Sequence, residues 1–130
     1  MPKVAIIEDD KPIRDMYSMK LRAAGLEVAE ANDGKDGLQL IREFKPDLVL
    51  LDLMMPVMSG QQMLRKLREQ DWGRSTLVIV LTNLSQNEAS MDLRLLRVEK
   101  YIVKAYSTPK QVSEMVIEIL ERYNKLLNPK

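Results

Sequence analysis

Val4-Ala5-Ile6-Ile7-Glu8-Asp9 is a run of four apolar residues that ends in two acids, and the chain repeats that form three more times. Residues 48–51 run into Asp52, residues 77–81 into Thr82, and residues 101–103 into Lys104. Short continuous apolar runs of this kind read as strands buried on both faces, the habit of a parallel sheet. A doubly wound sheet binds its ligand in the crevice outside the carboxyl ends of its strands, so polar groups that close four such runs converge on one pocket. Three carboxylates, a hydroxyl and an ammonium are expected to share it.

Between these runs, apolar residues recur at helical spacing. Asp10-Lys11-Pro12 reads as a helix start, with Asp10 as its cap rather than a ligand and Pro12 in the first turn. Ile13, Met16, Tyr17, Leu21 and Ala24 fall three and four apart on one face, and Gly25 closes the helix. Glu27-Val28-Ala29-Glu30-Ala31 alternates polar and small apolar groups, which suits an edge strand with one covered face. After a turn at Asn32-Asp33-Gly34, a second helix reaches Phe44 with Leu38, Ile41 and Phe44 on one side, and Lys45-Pro46-Asp47 breaks it. Residues 54–60 read as a loop and 61–69 as a third helix with Met63, Leu64 and Leu67 inward. Residues 71–75 form a turn-rich link in which Trp72 anchors the loop. A fourth helix is expected over about 87–97, and a last one starts near Pro109 with a stripe of Val112, Val116, Ile119, Leu120, Tyr123 and Leu127. Strand and helix alternate five times, with connections that suit right-handed parallel crossovers.

Composition narrows the chemistry. The 130 residues are 45% apolar, enough for one core and one domain over 1–130. Twenty basic and 19 acidic side chains leave a net charge of +1, so no direct nucleic-acid binding is expected. No run of about 18 apolar residues is present to span a bilayer and no signal-peptide pattern opens the chain, so a cytoplasmic setting without membrane contact is expected. There is no cysteine and no histidine, which removes disulfides, thiol chemistry and imidazole acid–base catalysis.

Glu8, Asp9 and Asp52 held within a few ångströms would repel one another unless a cation joined them. Oxygen-only ligation fits Mg²⁺ or Mn²⁺, and such a cluster suits phosphoryl transfer. An aspartate can serve as the nucleophile, while Lys104 and Thr82 stabilise the charge on the transferring group.

These residues carry a family resemblance over essentially the whole chain. The pair Glu8-Asp9, Asp52 followed by Met54-Met55-Pro56 and Gly60, then Thr82, and Tyr101 three residues before Lys104 resemble the motifs of a response-regulator receiver domain of two-component signalling, of the single-domain type. The expected fold is α/β: a doubly wound, five-stranded parallel sheet of order 2-1-3-4-5 with five helices, flavodoxin-like. The resemblance implies that Asp52 is the phosphoacceptor and Asp9 a direct Mg²⁺ (or Mn²⁺) ligand, with Glu8 acting largely through water. Asp52 and the backbone carbonyl of Met54 complete the coordination. It further implies that Lys104 pairs with the acceptor carboxylate and then the phosphoryl group, that Thr82 donates to a phosphoryl oxygen, and that Tyr101 swings inward as Thr82 moves. The implied role is a phosphorylation-driven switch, not a free-standing enzyme. Its partners would be a sensor histidine kinase or histidine phosphotransfer protein and a downstream target protein, which reads the helix 4–strand 5–helix 5 face.

The chain also departs from the family pattern. Ala105 follows Lys104 where the family usually has a cis proline, so either a strained bond or a rearranged loop is expected there. Asn83 stands where a very small residue is usual. Leu96-Arg97-Val98-Glu99 lacks the glycine that commonly turns the chain after the fourth helix. Met54 and Leu84 are apolar where a polar group would orient an attacking water, so slow self-dephosphorylation is expected. Met91, Leu95, Val98 and Ile117 fall off the main buried stripes and are candidates for a partner face, including homodimerisation on phosphorylation; additional packing within the monomer is the competing account. Two other functions are weighed against the switch. One is a receiver-like interaction module that works without phosphorylation, for which Ala105 and Asn83 speak. The other is an aspartate-nucleophile phosphatase, which the apolar Met54 disfavours.

Overall fold

Five runs pair as parallel strands in the order β2-β1-β3-β4-β5: β1 (Lys3–Ile7), β2 (Glu27–Ala31), β3 (Leu48–Leu51), β4 (Leu77–Thr82) and β5 (Lys100–Val103). The computed structural model describes residues 1–83 and 96–123. Among these lie four α-helices, α1 (Lys11–Ala23), α2 (Gly34–Phe44), α3 (Gly60–Glu69) and α4 (Pro109–Arg122), the last being the fifth helix of the sequence reading. Most of the helix expected over 87–97 lies outside the described residues. Its expected end does not: Leu96 and Arg97 form a turn, so no helix runs on to Arg97. The architecture is the doubly wound, flavodoxin-like sheet that the alternation predicts.

Side chains alternate between the two faces of the sheet. Val4, Ile6, Leu48, Leu50, Ile79 and Ile102 face the layer of α1 and α4, while Ala5, Ile7, Val49, Leu51, Val78 and Val80 face that of α2 and α3. All of β3 and β4 is buried, as central strands covered on both sides must be. Each Leu, Ile or Val fully withdrawn from water contributes about 1.5–3 kcal/mol, and the three central strands supply most such residues. The outer strands are only partly covered.

The helices mostly bury the expected faces, with two corrections. In α1, Tyr17 and Leu21 are buried but Met16 and Ala24 are exposed, and Ser18 takes an inward place instead. In α4, Val112, Val116, Ile119 and Leu120 are buried with Ser113, whereas Tyr123 is exposed and bonds Glu99 Oε1 at 3.0 Å. Leu127 lies outside the described residues. A 100° advance per residue explains the first exchange, since position 18 lies nearer the line through 17 and 21 than position 16 does, whereas Ala24 and Tyr123 are the C-caps, one residue past the ends of α1 and α4.

Capping fixes where the helices begin. Asp10 caps α1 by accepting from Ile13 N at 3.1 Å, as expected, and Asp33 caps α2 through Asp36 N at 2.8 Å. Ser59 with Gln62 and Thr108 with Gln111 form reciprocal capping boxes, so α3 starts one residue before the expected 61. At the far end, Arg97 adopts φ 59° and turns the chain without a glycine. The guanidinium of Arg68 stabilises this turn from α3. It donates to the carbonyls of Leu96 (2.8 Å), Arg97 (3.2 Å), Gly73 (3.0 Å), Arg74 (3.3 Å) and Thr76 (2.7 Å). Burial and the neighbouring Arg97 charge lower its pKa from the usual arginine value.

Candidate functional site

Four strands deliver their last residues to one edge of the sheet. Ile7 pairs with Leu51, so Glu8 and Asp52 leave β1 and β3 at the same level, and Asp52 N donates to Ile7 O at 3.0 Å. Thr82 ends β4 opposite Val103 of β5, which places Lys104 one step farther out.

Three of the expected groups gather closely, and a fourth, Lys104, bonds two of them. Glu8, Asp9 and Asp52 each present a carboxylate oxygen within 4.8 Å of the others. Lys104 Nζ reaches across 96 positions of sequence to Glu8 Oε1 at 2.5 Å and also contacts Asp52 Oδ2 at 3.3 Å. Glu8 and Asp52 are buried, 4% and 5% exposed, whereas Asp9 is open to solvent. Beneath them, Ile7, Tyr17, Leu51 and Leu81 line an apolar floor shared with Glu8 and Asp52.

The electrostatics follow from that floor. Burial raises the Glu8 pKa from 4.5 to about 7; the Asp52 charge adds to the rise, and the bonds from Lys104 and Asp10 N oppose it. Burial also works against the charge on Lys104, but the Glu8 hydrogen bond and the Asp52 charge outweigh it and carry the pKa above the usual lysine value. Lys104 therefore stays an ammonium between two carboxylates.

Backbone donors complete the arrangement. Asp10 N donates to Glu8 Oε2 at 3.1 Å, and Met54 N to Asp52 Oδ1 at 3.1 Å, which folds the following loop back over the acid. Gly60 lies close behind, where any side chain would collide with the Asp52 carbonyl. Val57, in the same loop and 79% exposed, holds φ 68°, a left-handed conformation that disfavours a β-branched residue.

The remaining predicted residues lie on or near β4, β5 and α4. Thr82 is fully buried at the end of β4. Tyr101 is half-buried and packs toward the α2–α3 layer, as do Leu96 and Val98; Ile117 is half-buried toward the α1–α4 layer. Met91, Leu95 and Leu84 lie outside the described residues. Lys104-Ala105-Tyr106 forms one turn of 3-10 helix, and no cis peptide bond occurs among the described residues, so the rearranged loop is the alternative adopted after Lys104.

Two features were not foreseen. Lys104 approaches Glu8 more closely than Asp52, and Arg14 of α1 donates to the main-chain carbonyl of Glu8 at 2.8 Å. The only sequence signal for the second is that position 14 sits between Ile13 and Tyr17, on the flank of the inward face of α1.

An oxygen-only set of three carboxylates at this spacing fits a hard divalent cation such as Mg²⁺ or Mn²⁺. With Lys104 as the adjoining cation, the arrangement can receive an anionic group at Asp52.

Comparison with known proteins gives the family and agrees with the fold. The family model described as the response regulator receiver domain matches residues 4–116. Among solved structures, the receiver domain of the Francisella response regulator 1452 is 30% identical, with a TM-score of 0.84 over 95% of this chain and 99% of that one. The Vibrio cholerae chemotaxis protein CheY4 is 28% identical, with a TM-score of 0.84 over 92% and 99%. A CheY-like response regulator receiver domain protein from Methanospirillum hungatei is 26% identical, with a TM-score of 0.85 over 96% and 98%.

Proposed function

Because the chain belongs to the response regulator receiver family, we propose that it is a phosphorylation switch in which Asp52 accepts a phosphoryl group from a partner phosphohistidine. The donor is a sensor histidine kinase or a histidine phosphotransfer protein, and the setting is the cytoplasm. The observation that carries this reading is the convergence of Glu8, Asp9 and Asp52 within 4.8 Å, with Lys104 between the two buried acids. Asp9, Asp52 and the Met54 carbonyl would hold Mg²⁺ or Mn²⁺, with Glu8 acting largely through water. Bound there, the cation offsets the charge of the incoming phosphoryl oxygens.

The chain's own groups do the rest. An oxygen of Asp52 attacks phosphorus in line; the new O–P bond forms as the P–N bond breaks, and the departing imidazole keeps the electron pair. Lys104 donates to a phosphoryl oxygen from its position beside Asp52 Oδ2. Thr82, at the end of the adjacent strand, donates to another, and Tyr101 follows it inward. The phosphoryl group, with a charge of about −2 in place of the single carboxylate charge of Asp52, favours this second arrangement. The face built on β5, with Met91, Leu95, Val98 and Ile117, then binds the downstream target or a second copy of the chain. Met54 leaves hydrolysis of the acyl phosphate without an orienting side chain, so self-dephosphorylation is slow.

Intact-mass spectrometry after incubation with acetyl phosphate tests the reading. A gain of one phosphoryl group that requires Mg²⁺ and disappears in Asp52→Ala is the expected result. No gain in the wild type would transfer the assignment to an interaction module that works without phosphorylation.

A further inference from the structure

The carboxylate of Asp9 has no hydrogen-bond or ion-pair partner among the described residues, so its position depends on the backbone that carries it. That backbone is the turn between β1 and α1. Its entry is fixed by Glu8 N donating to Ala31 O at 3.0 Å, and its exit by Arg14 N donating to Asp10 O at 2.9 Å. The peptide joining Glu8 to Asp9 lies between these two bonds. Its carbonyl is held by a side chain, Arg14 Nη1, at 2.8 Å.

Arg14 is itself held in place. Its side chain is only 13% exposed, and its Nε lies 3.4 Å from Glu30 Oε1 on the edge strand β2. Glu30 is approached from its other oxygen by Arg22, 4.0 Å away, and Arg22 also donates to Val28 O at 3.1 Å. Two arginines of α1 thus grip the edge strand around one glutamate, and the inner one extends to the carbonyl next to Asp9. An arginine is suited to this double duty, since its planar fork donates in two directions at once from a fixed geometry.

We propose that Arg14 is a positioning residue for cation binding: by holding the Glu8 carbonyl against the Glu30-anchored edge strand, it sets the peptide plane that aims the Asp9 carboxylate at Glu8 and Asp52. This rests on the metal-dependent reading above and deepens it. Groups that orient ligands without touching the cation change metal affinity by about 10–100-fold when removed. The sign of the effect separates this role from simple electrostatics. Removing a positive charge near an acidic site strengthens cation binding by Coulomb attraction alone, whereas loss of positioning weakens it.

The test is Mn²⁺ binding to the purified chain, followed by the EPR signal of free Mn²⁺ and by titration calorimetry, with no phosphoryl donor present. Asp9→Ala, expected to abolish binding, locates the ion. Arg14→Met is expected to weaken Mn²⁺ binding about tenfold, and Arg14→Lys, which keeps one donor and the charge, to recover part of the loss. Unchanged or tighter binding in a folded Arg14→Met protein would overturn the proposal. If Arg14→Met does not fold, Arg14→Gln carries the same sign argument, because it is neutral and reaches less far: weaker binding supports positioning, and equal or tighter binding overturns it. A wild type that binds no Mn²⁺ would instead remove the metal reading itself, and the positioning role with it.

Discussion

Lys104 Nζ lies 2.5 Å from Glu8 Oε1 and 3.3 Å from Asp52 Oδ2, so the resting lysine is committed first to the acid of β1 and second to the acid of β3. Both carboxylates are buried over an apolar floor, and one ammonium cannot neutralise two charges. Without a divalent cation the surplus negative charge is relieved by protonation, and Glu8, raised to about 7, is the group that takes the proton.

That assignment fixes a pH dependence. Between the ordinary glutamate value of 4.5 and about 7, the folded chain keeps a proton that the unfolded chain has released. The folded state binds more protons in this window, so stability falls as pH rises through it and levels off above. The full fall is on the order of 3 kcal/mol. Urea denaturation in EDTA from about pH 4 to pH 8 is expected to show it in the wild type, and Glu8→Gln to flatten it.

The same crowding predicts the response to metal and to charge removal. Asp52→Asn relieves one repulsion at nearly constant shape and is expected to stabilise the metal-free fold by about 1 kcal/mol. Saturating Mg²⁺ should stabilise the wild type by about 2.7 kcal/mol at a hundred times its dissociation constant. Thermal melts with and without Mg²⁺ read both effects, and Asp9→Asn is expected to lose the Mg²⁺ response.

Val57 is strained for no packing gain, with φ 68° and the residue 79% exposed. A β-branched residue in the left-handed region costs about 1–2 kcal/mol, and asparagine tolerates that conformation far better. Val57→Asn is therefore expected to raise stability by about 1 kcal/mol in chemical denaturation.

Arg68 satisfies five main-chain carbonyls on two segments, 73–76 and 96–97. Arg68→Met would leave several of them without donors, and a loss of about 2–4 kcal/mol is expected. Arg68→Lys should recover little, since a point donor cannot span the fork. Denaturation midpoints compare the two.

Met54 follows the acceptor by two residues, is 56% exposed and has no group that orients a water. Phosphorylated Asp52 is expected to persist for minutes in Mg²⁺ buffer. Met54→Asn should hydrolyse about tenfold faster or more. Mass spectra taken through the decay give both rates; loss within seconds in the wild type would contradict the expectation.

Much of this was legible before any coordinates. The central strands announce themselves because a strand covered on both faces must be apolar throughout, and β2 because a half-covered edge must alternate. Asp10 reads as a cap because its role is settled within three residues, by Ile13 N. Met16 differs from expectation because spacings of three and four do not say which of two neighbouring lines on a helix meets the sheet, and Ala24 because it is the C-cap, beyond the last turn that packs. The turn at Arg97 was not readable as such, since the left-handed residue there is held by Arg68, nearly thirty positions away.

The sequence by itself determined the strand runs, the alternation of layers and the closing of four strands with Glu8-Asp9, Asp52, Thr82 and Lys104, because these are set by local periodicity and by where an apolar run stops. Only the tertiary structure decided that Lys104 turns first to Glu8, that Arg14 holds the Glu8 carbonyl, and that Arg68 stabilises the chain before β5. Hydrogen bonds and ion pairs depend on distances of a few tenths of an ångström between groups far apart in the chain, and no pattern of spacing carries that information.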